Sequence, residues 1–273
     1  MARKALVVGG TSGIGHGIAL NLASLGTDVT IAGRSATAGA AIVTKMKELS
    51  PNNEFKFEPV DGFSMTDCAA LAQKITTLDY LVMSQGMATI QGFTPTQDGF
   101  DQKLSLHVYS RFLLSKLLAP KLAQSNDGRV LSVLSAGVHS AYTQPDLSLK
   151  TSYSIPNAAN AGGMYNDVFL EKLAASFPNV IFTHAAPGFV NTNWGTEMPA
   201  LLRCAIRPLQ SLFGKDFMKC GEAMVGGMMK GEKGRLNLVD PEGGVGKATL
   251  SKGHEENKER VYEHLVASLG PFC

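Results

Sequence analysis

Cysteine is scarce in this chain, with four in 273 residues, and only 18% of positions are charged. Cys68, Cys204, Cys220 and Cys273 show no Cys-x-x-Cys spacing and no histidine cluster accompanies them. That excludes a disulfide scaffold and a recognisable metal-ligand set, so no metal is expected and the thiols read as reduced groups of a cytoplasmic protein. Long apolar runs are also missing, which excludes a membrane-spanning helix. The basic start Met-Ala-Arg-Lys precedes only four apolar residues before glycine intervenes. This is too short for a signal-peptide core, and no targeting segment is expected. The net charge of +2 comes from scattered basic residues, which gives no nucleic-acid surface and leaves a small molecule as the expected partner. Repeats, low-complexity stretches and linker-like segments are absent, so residues 1–273 read as a single domain.

What the chain does have is alternation. Apolar, β-rich runs at 5–8, 29–32, 55–60, 80–83, 130–134 and 180–183 alternate with helical patterns near 14–25, 38–49, 65–77, 97–123 and 158–177. A late run at 235–239 offers an edge strand. This order predicts an α/β fold, a Rossmann-like doubly wound parallel sheet whose ligand sits at the carboxyl ends of the strands.

The first run ends in Gly9-Gly10-Thr11-Ser12-Gly13-Ile14-Gly15. Gly9 permits a turn that a side chain obstructs, Gly13 lets backbone amides approach a phosphate, and Gly15 lets the next helix pack on the strand. The amides and dipole of that helix then face an anion. At the end of the second run stand Arg34 and Ser35 instead of the acidic residue that would bind a ribose diol and repel a 2′-phosphate. A guanidinium fork holds such a phosphate bidentately, and this favours NADP(H), with NAD(H) the minor option if Arg34 is only a solvated surface residue. Asp61 either accepts from an adenine amino group or is an ordinary acidic turn residue.

These features resemble the short-chain dehydrogenase/reductase superfamily over nearly the whole length. Gly9 to Gly15, with Thr11, Ser12, Gly13 and Ile14, match its nucleotide turn. Leu81-Val82-Met83-Ser84-Gln85-Gly86 takes the place of its Asn-Asn-Ala-Gly strand end, with only Gly86 kept. Gly128 to Ser135 looks like the strand that carries the family's catalytic serine, here Ser135. Ala186-Pro187-Gly188-Phe189-Val190-Asn191-Thr192 resembles the segment covering the nicotinamide, so the resemblance implies cofactor contacts for Pro187, Gly188, Val190 and Thr192.

The Tyr-x-x-x-Lys pair of the family is incomplete. Tyr153 supplies the tyrosine and Asn157 replaces the lysine; this spacing shares a helix face provided the helix has begun. A rival alignment puts Ala159 and Gly163 in the pair and leaves no acid or base. His107 replaces the family's water-holding asparagine, and it is either a proton relay titrating in the ordinary histidine range or a structural residue. Similar chains with a Leu-Glu-x-Leu-Ala helix, here 170–174, resemble a divergent fungal or protist branch, which implies secondary metabolism.

Residues 193–230 occupy the place of the family's substrate lid, with Trp194, Met198, Leu201, Leu202, Ile206, Leu209, Leu212 and Phe213 at near-helical spacing. They form either an apolar lid or a core or subunit interface, the latter allowing a homo-oligomer. The reading that follows is an NADPH-dependent oxidoreductase reducing a carbonyl of a small apolar metabolite, with Ser135, Tyr153, His107 and Asn157 as the catalytic candidates. The alternatives are a non-redox enzyme on the same fold and a catalytically silent nucleotide-binding protein.

Overall fold

Each apolar run becomes a parallel strand, and the central strands send alternate side chains into two different cores. The computed structural model describes residues 2–192, 195 and 198–273, apart from the side chains of 202, 203, 205 and 206. Strands β1 (Lys4–Val8), β2 (Asp28–Gly33), β3 (Phe55–Pro59), β4 (Tyr80–Met83), β5 (Arg129–Val133) and β6 (Ile181–Ala185) are followed by β7 (Val190–Asn191), β8 (Lys215–Asp216) and β9 (Leu236–Val239). The main sheet has seven strands in the order β3-β2-β1-β4-β5-β6-β9, and every pairing in it is parallel. The short β7 and β8 pair separately.

The helices are α1 (Gly13–Ser24), α2 (Ala36–Leu49), α3 (Met65–Lys74), α4 (Gln102–Leu104), α5 (Ser110–Leu122), α6 (Ile155–Ser176), α7 (Ala200–Phe213), α8 (Phe217–Met229) and α9 (His254–Leu269). Because side chains alternate along a strand, Leu6 and Val8 of β1 and Leu81 and Met83 of β4 face the core built with α3, α5, α6 and α9. Ala5, Val7, Tyr80 and Val82 face the other, with Ile18 of α1, Ile42 of α2 and Met224 of α8. The doubly wound architecture is therefore as the sequence predicts. The strand order reverses between β1 and β4, and a crevice at their carboxyl ends is where such a sheet offers a ligand site.

Several elements differ from the sequence reading. The helix expected over 97–123 starts only at Gln102, because the Asp101 carboxylate caps the Lys103 and Leu104 amides at 2.9 and 3.3 Å. It then passes through a π-helical segment, Ser105–Tyr109. Helix α6 starts earlier than expected, since Ser154 caps the Asn157 amide and Pro156 fits the first turn. Helices α8 and α9 lie where the reading marked none. Among the described residues, no helix is long and apolar enough to cross a membrane.

Candidate functional site

A cavity of about 520 Å³ opens over the carboxyl ends of the central strands. It runs from Arg34 after β2, past Gly9, Thr11, Ser12, Gly13 and Ile14 after β1, to Gly86, His107 and Arg111, under Pro187, Gly188, Val190 and Thr192. One cavity thus gathers most of the residues named for cofactor binding.

Gly9 has φ +81°, and a Cβ on it would lie 2.5 Å from the Gln85 amide nitrogen. No other residue type fits that turn. Ser12 is the N-cap of α1, yet its side chain makes no capping bond, so the first-turn amides keep their donors for a ligand. Arg34 makes no ion pair among the described residues and lies over the Phe63 ring, 5.4 Å from its centroid. No acidic side chain lines the cavity among the described residues. Uncapped amides, a glycine turn and an unpaired guanidinium together fit a phosphorylated dinucleotide.

Three residues named for cofactor binding stand off the cavity wall. Gly15 is a packing position, since a Cβ there would lie 2.3 Å from the Gly9 carbonyl oxygen. Ser35 is the N-cap of α2, its hydroxyl accepting from the Ala38 amide at 3.3 Å. The Asp61 carboxylate accepts from the Phe63 amide at 3.1 Å, although its neighbours Val60 and Gly62 do line the cavity.

His107 lies in the π-helical segment, a distortion that recurs at functional sites. Its Nε2 accepts from the Met87 amide at 3.2 Å, so a neutral ring carries its proton on Nδ1. Burial, with the Arg111 and Lys103 charges, pushes the imidazole down to about 3 from an ordinary 6.5. The expectation of a titration in the ordinary histidine range is therefore corrected: this imidazole is neutral at physiological pH. The His107 carbonyl accepts from Asn166 Nδ2 at 2.7 Å. Asn166 Oδ1 accepts in turn from Ser132 Oγ at 2.6 Å.

Sequence reasoning missed Arg111. Its guanidinium is 1% exposed and donates to Leu106 O, Ser132 Oγ, Val133 O and Gln85 O at 3.1, 2.7, 2.9 and 2.6 Å. The only signal in the sequence is a cation directly before the apolar run Phe112-Leu113-Leu114. Gln85 also lines the cavity, and its buried Oε1 has no partner.

The remaining catalytic candidates are not on the cavity wall. Tyr153 precedes α6, so Tyr153 and Asn157 do not share a helix face, and the condition for their pairing fails. The Tyr153 ring packs edge-on against Phe93 beneath Lys103 Nζ, 5.1 Å from its centroid. Its hydroxyl is buried without a partner; burial and the charge of Asp101 push it up to about 12. Asn157 Nδ2 donates back to Ser152 O at 2.8 Å. Ser135 follows Leu134, which does line the cavity, and its buried hydroxyl has no partner. Its amide donates to His184 Nε2 at 3.1 Å.

Behind Ser135 lies a buried His-Asp-His array that the sequence did not reveal. Asp167 Oδ1 meets His184 Nδ1 at 2.6 Å, and Oδ2 meets His139 Nε2 at 2.8 Å. Burial pushes the pKa of this carboxyl up, but the two histidines outweigh that and leave it at about 2.

Within 193–230, Gly195 and Gln210 line the cavity, whereas Cys220, Met224, Val225 and Met228 of α8 are buried in the core shared with α1. Leu201, Leu209, Leu212 and Phe213 of α7 are exposed. Trp194 and the side chains of Leu202 and Ile206 lie outside the described residues.

Residues 3–199 match the short chain dehydrogenase family. An oxidoreductase of Emericella nidulans is 31% identical over 229 residues, covering 80% of this chain and 69% of that protein. The polyprenol dehydrogenase of Homo sapiens is 32% identical over 216 residues, 72% of this chain and 65% of that one. The chain thus spans about two thirds of the length of these curated relatives. Among solved structures, a short-chain dehydrogenase from Sphingobium yanoikuyae in complex with NADPH gives a TM-score of 0.67 at 18% identity, covering 97% of this chain and 95% of that one. An alcohol dehydrogenase from Thermococcus sibiricus complexed with 5-hydroxy-NADP gives 0.67 at 16% identity, covering 88% and 96%. At such identities the likeness is one of fold, and it agrees with the sheet order and the glycine turn. With the match over residues 3–199 and the curated relatives, the chain belongs to the short chain dehydrogenase family.

Proposed function

We propose that this chain is an NADP(H)-dependent oxidoreductase that reduces a carbonyl of a small apolar metabolite. The observation that carries the reading is Arg34 at the end of β2, on the cavity wall, over the Phe63 ring and in no ion pair among the described residues. A 2′-phosphate there gains a charge-assisted bidentate contact. The α1 amides and Gly9 to Ile14 hold the pyrophosphate, and Pro187, Gly188, Val190 and Thr192 cover the nicotinamide. A nicotinamide bound there would supply a hydride to the carbonyl carbon, and the alkoxide so formed would take its proton from solvent water.

The chain's own groups handle the oxygen. His107, neutral and with its proton on Nδ1, serves as a hydrogen-bond donor to the carbonyl, a role for which a low imidazole pKa is suited. The Ser135 hydroxyl, buried and unpartnered beside Leu134, is the second donor. Arg111 favours the negative charge that develops on oxygen. Tyr153 and Asn157 are left out of this set because the Tyr153 ring lies between Phe93 and Lys103 and Asn157 turns back to Ser152 O, whereas Ser135 directly follows Leu134 on the cavity wall. The apolar substrate class rests on the exposed apolar face of α7 and on the polyprenol named for a relative.

One observation favours a second reading, a non-redox enzyme or a silent nucleotide-binding protein: no tyrosine or lysine lines the cavity among the described residues. Identifying the co-purifying nucleotide, then following NADPH oxidation with a panel of apolar ketones, aldehydes and quinones, separates the readings. Turnover supports reduction, and product formation without net oxidation supports the non-redox reading. Binding without turnover or product supports the silent one.

A further inference from the structure

Among the described residues, Arg34 and Arg111 are the only charged side chains that line the cavity, and they stand far apart along it. Arg34 follows β2, whereas Arg111 binds carbonyls at the ends of β4 and β5. That is a separation of two to three strand spacings, about 10–14 Å. On the reading of the cavity as an NADP(H) site, the adenosine end lies at Arg34 and the nicotinamide end therefore lies toward Gly86, His107 and Arg111.

The four bonds of Arg111 use four of its five N–H donors but do not neutralise it, because every acceptor is a carbonyl or a hydroxyl. No carboxylate pairs with it among the described residues. Burial lowers the guanidinium to about 9 and leaves it charged at neutral pH. The next cation, Lys103, is tied to Gln91 O at 2.9 Å and lies over Tyr153 rather than on the cavity wall. An oxidised nicotinamide ring carries a positive charge and a reduced one carries none. With no acidic side chain on the cavity wall among the described residues, the oxidised ring meets repulsion from Arg111 that the reduced ring does not.

We infer that Arg111 sets the redox preference of the site, making it hold the reduced nicotinamide more tightly than the oxidised cation. The two forms share their phosphates and riboses, so the ratio of their dissociation constants isolates the charge of the ring.

Calorimetric titration of the wild-type chain with NADPH and with NADP⁺ at neutral pH tests this. NADPH is expected to bind at least tenfold more tightly, about 1.4 kcal/mol. A ratio within threefold, or the reverse order, overturns the inference. Arg111→Met is expected to bring the ratio toward one, whereas Arg111→Lys keeps the charge and the preference. Should Arg111→Met fail to fold, the wild-type ratio together with Lys103→Met still decides: a ratio abolished by Lys103→Met assigns the effect to that lysine and overturns the role of Arg111. If neither nucleotide binds, the cofactor reading fails and the inference falls with it, a result distinct from equal affinities.

Discussion

The imidazole of His139 occupies the space that any side chain at Gly163 would need: a Cβ there would lie 2.3 Å from His139 Cδ2 and 2.4 Å from Cγ. Position 163 is where the rival alignment places the family's lysine. In this chain that volume belongs to a histidine held by Asp167 at 2.8 Å.

Gly163→Ala is therefore expected to destabilise the protein. Helix propensity alone favours alanine by about 1 kcal/mol, but overpacking a buried ring costs about 1–3 kcal/mol, and the ring cannot yield without breaking its bond to Asp167. Urea unfolding of Gly163→Ala, and of the same change in a His139→Ala background, checks this. The expected sign reverses in the second background, where the alanine gains propensity without a clash. Equal effects in both backgrounds would disprove the contact.

Asp167 links stability to pH. Its folded value of about 2 lies below the unfolded 3.8, so its contribution is fully present above pH 4 and is lost as pH falls through 2. The difference corresponds to roughly 2 kcal/mol. Asp167→Asn is expected to unfold more easily at neutral pH and to show a shallower loss of stability between about pH 4 and 2. Wild type and variant with parallel acid limbs would show that the two histidines do not hold the carboxylate.

His107 shifts the other way from the sequence expectation. With a folded value near 3 against 6.5 unfolded, the native state resists its protonation, so this group weakens the fold progressively as pH falls below 6.5. Between pH 6 and 8 it gives no inflection in a pH–rate profile. His107→Asn is expected to leave that stretch of the profile unchanged in shape while lowering the rate constant at least tenfold, because the Nδ1 donor is lost. A native inflection between 6 and 7 that disappears in the variant would instead establish a titrating relay.

Tyr153→Phe removes a hydroxyl that is buried and unpartnered, and the ring contact with Phe93 survives. The expected outcome is unchanged or slightly higher stability and turnover within threefold of wild type. Loss of turnover in a folded variant would return the tyrosine to the catalytic set.

The fold was legible because its signals are local: an apolar run ending in Gly9 gives β1, the turn and α1, and the run at 235–239 gives the edge strand β9. The start of α6 is also written locally, in Ser154 and Pro156, and it leaves Tyr153 ahead of the helix. Arg111 and the Asp167 array were not legible. Most of their partners, Gln85 O, Ser132 Oγ, Val133 O, His139 and His184, lie on or just after β4, β5 and β6, which only the sheet order brings together, and no spacing in the chain announces them. His107 was found by position, but its neutrality depends on burial and then on the charges of Arg111 and Lys103, which act on it only after folding.

The most direct test of the account is an equilibrium titration of the wild-type chain and Arg34→Ala with NADPH and NADH. A bidentate charge-assisted contact stabilises by about 1.5–3 kcal/mol. The account therefore predicts saturable binding of NADPH at least tenfold tighter than NADH in the wild type, with the gap closing in Arg34→Ala. Equal wild-type affinities, or no saturable binding of either nucleotide, would contradict it.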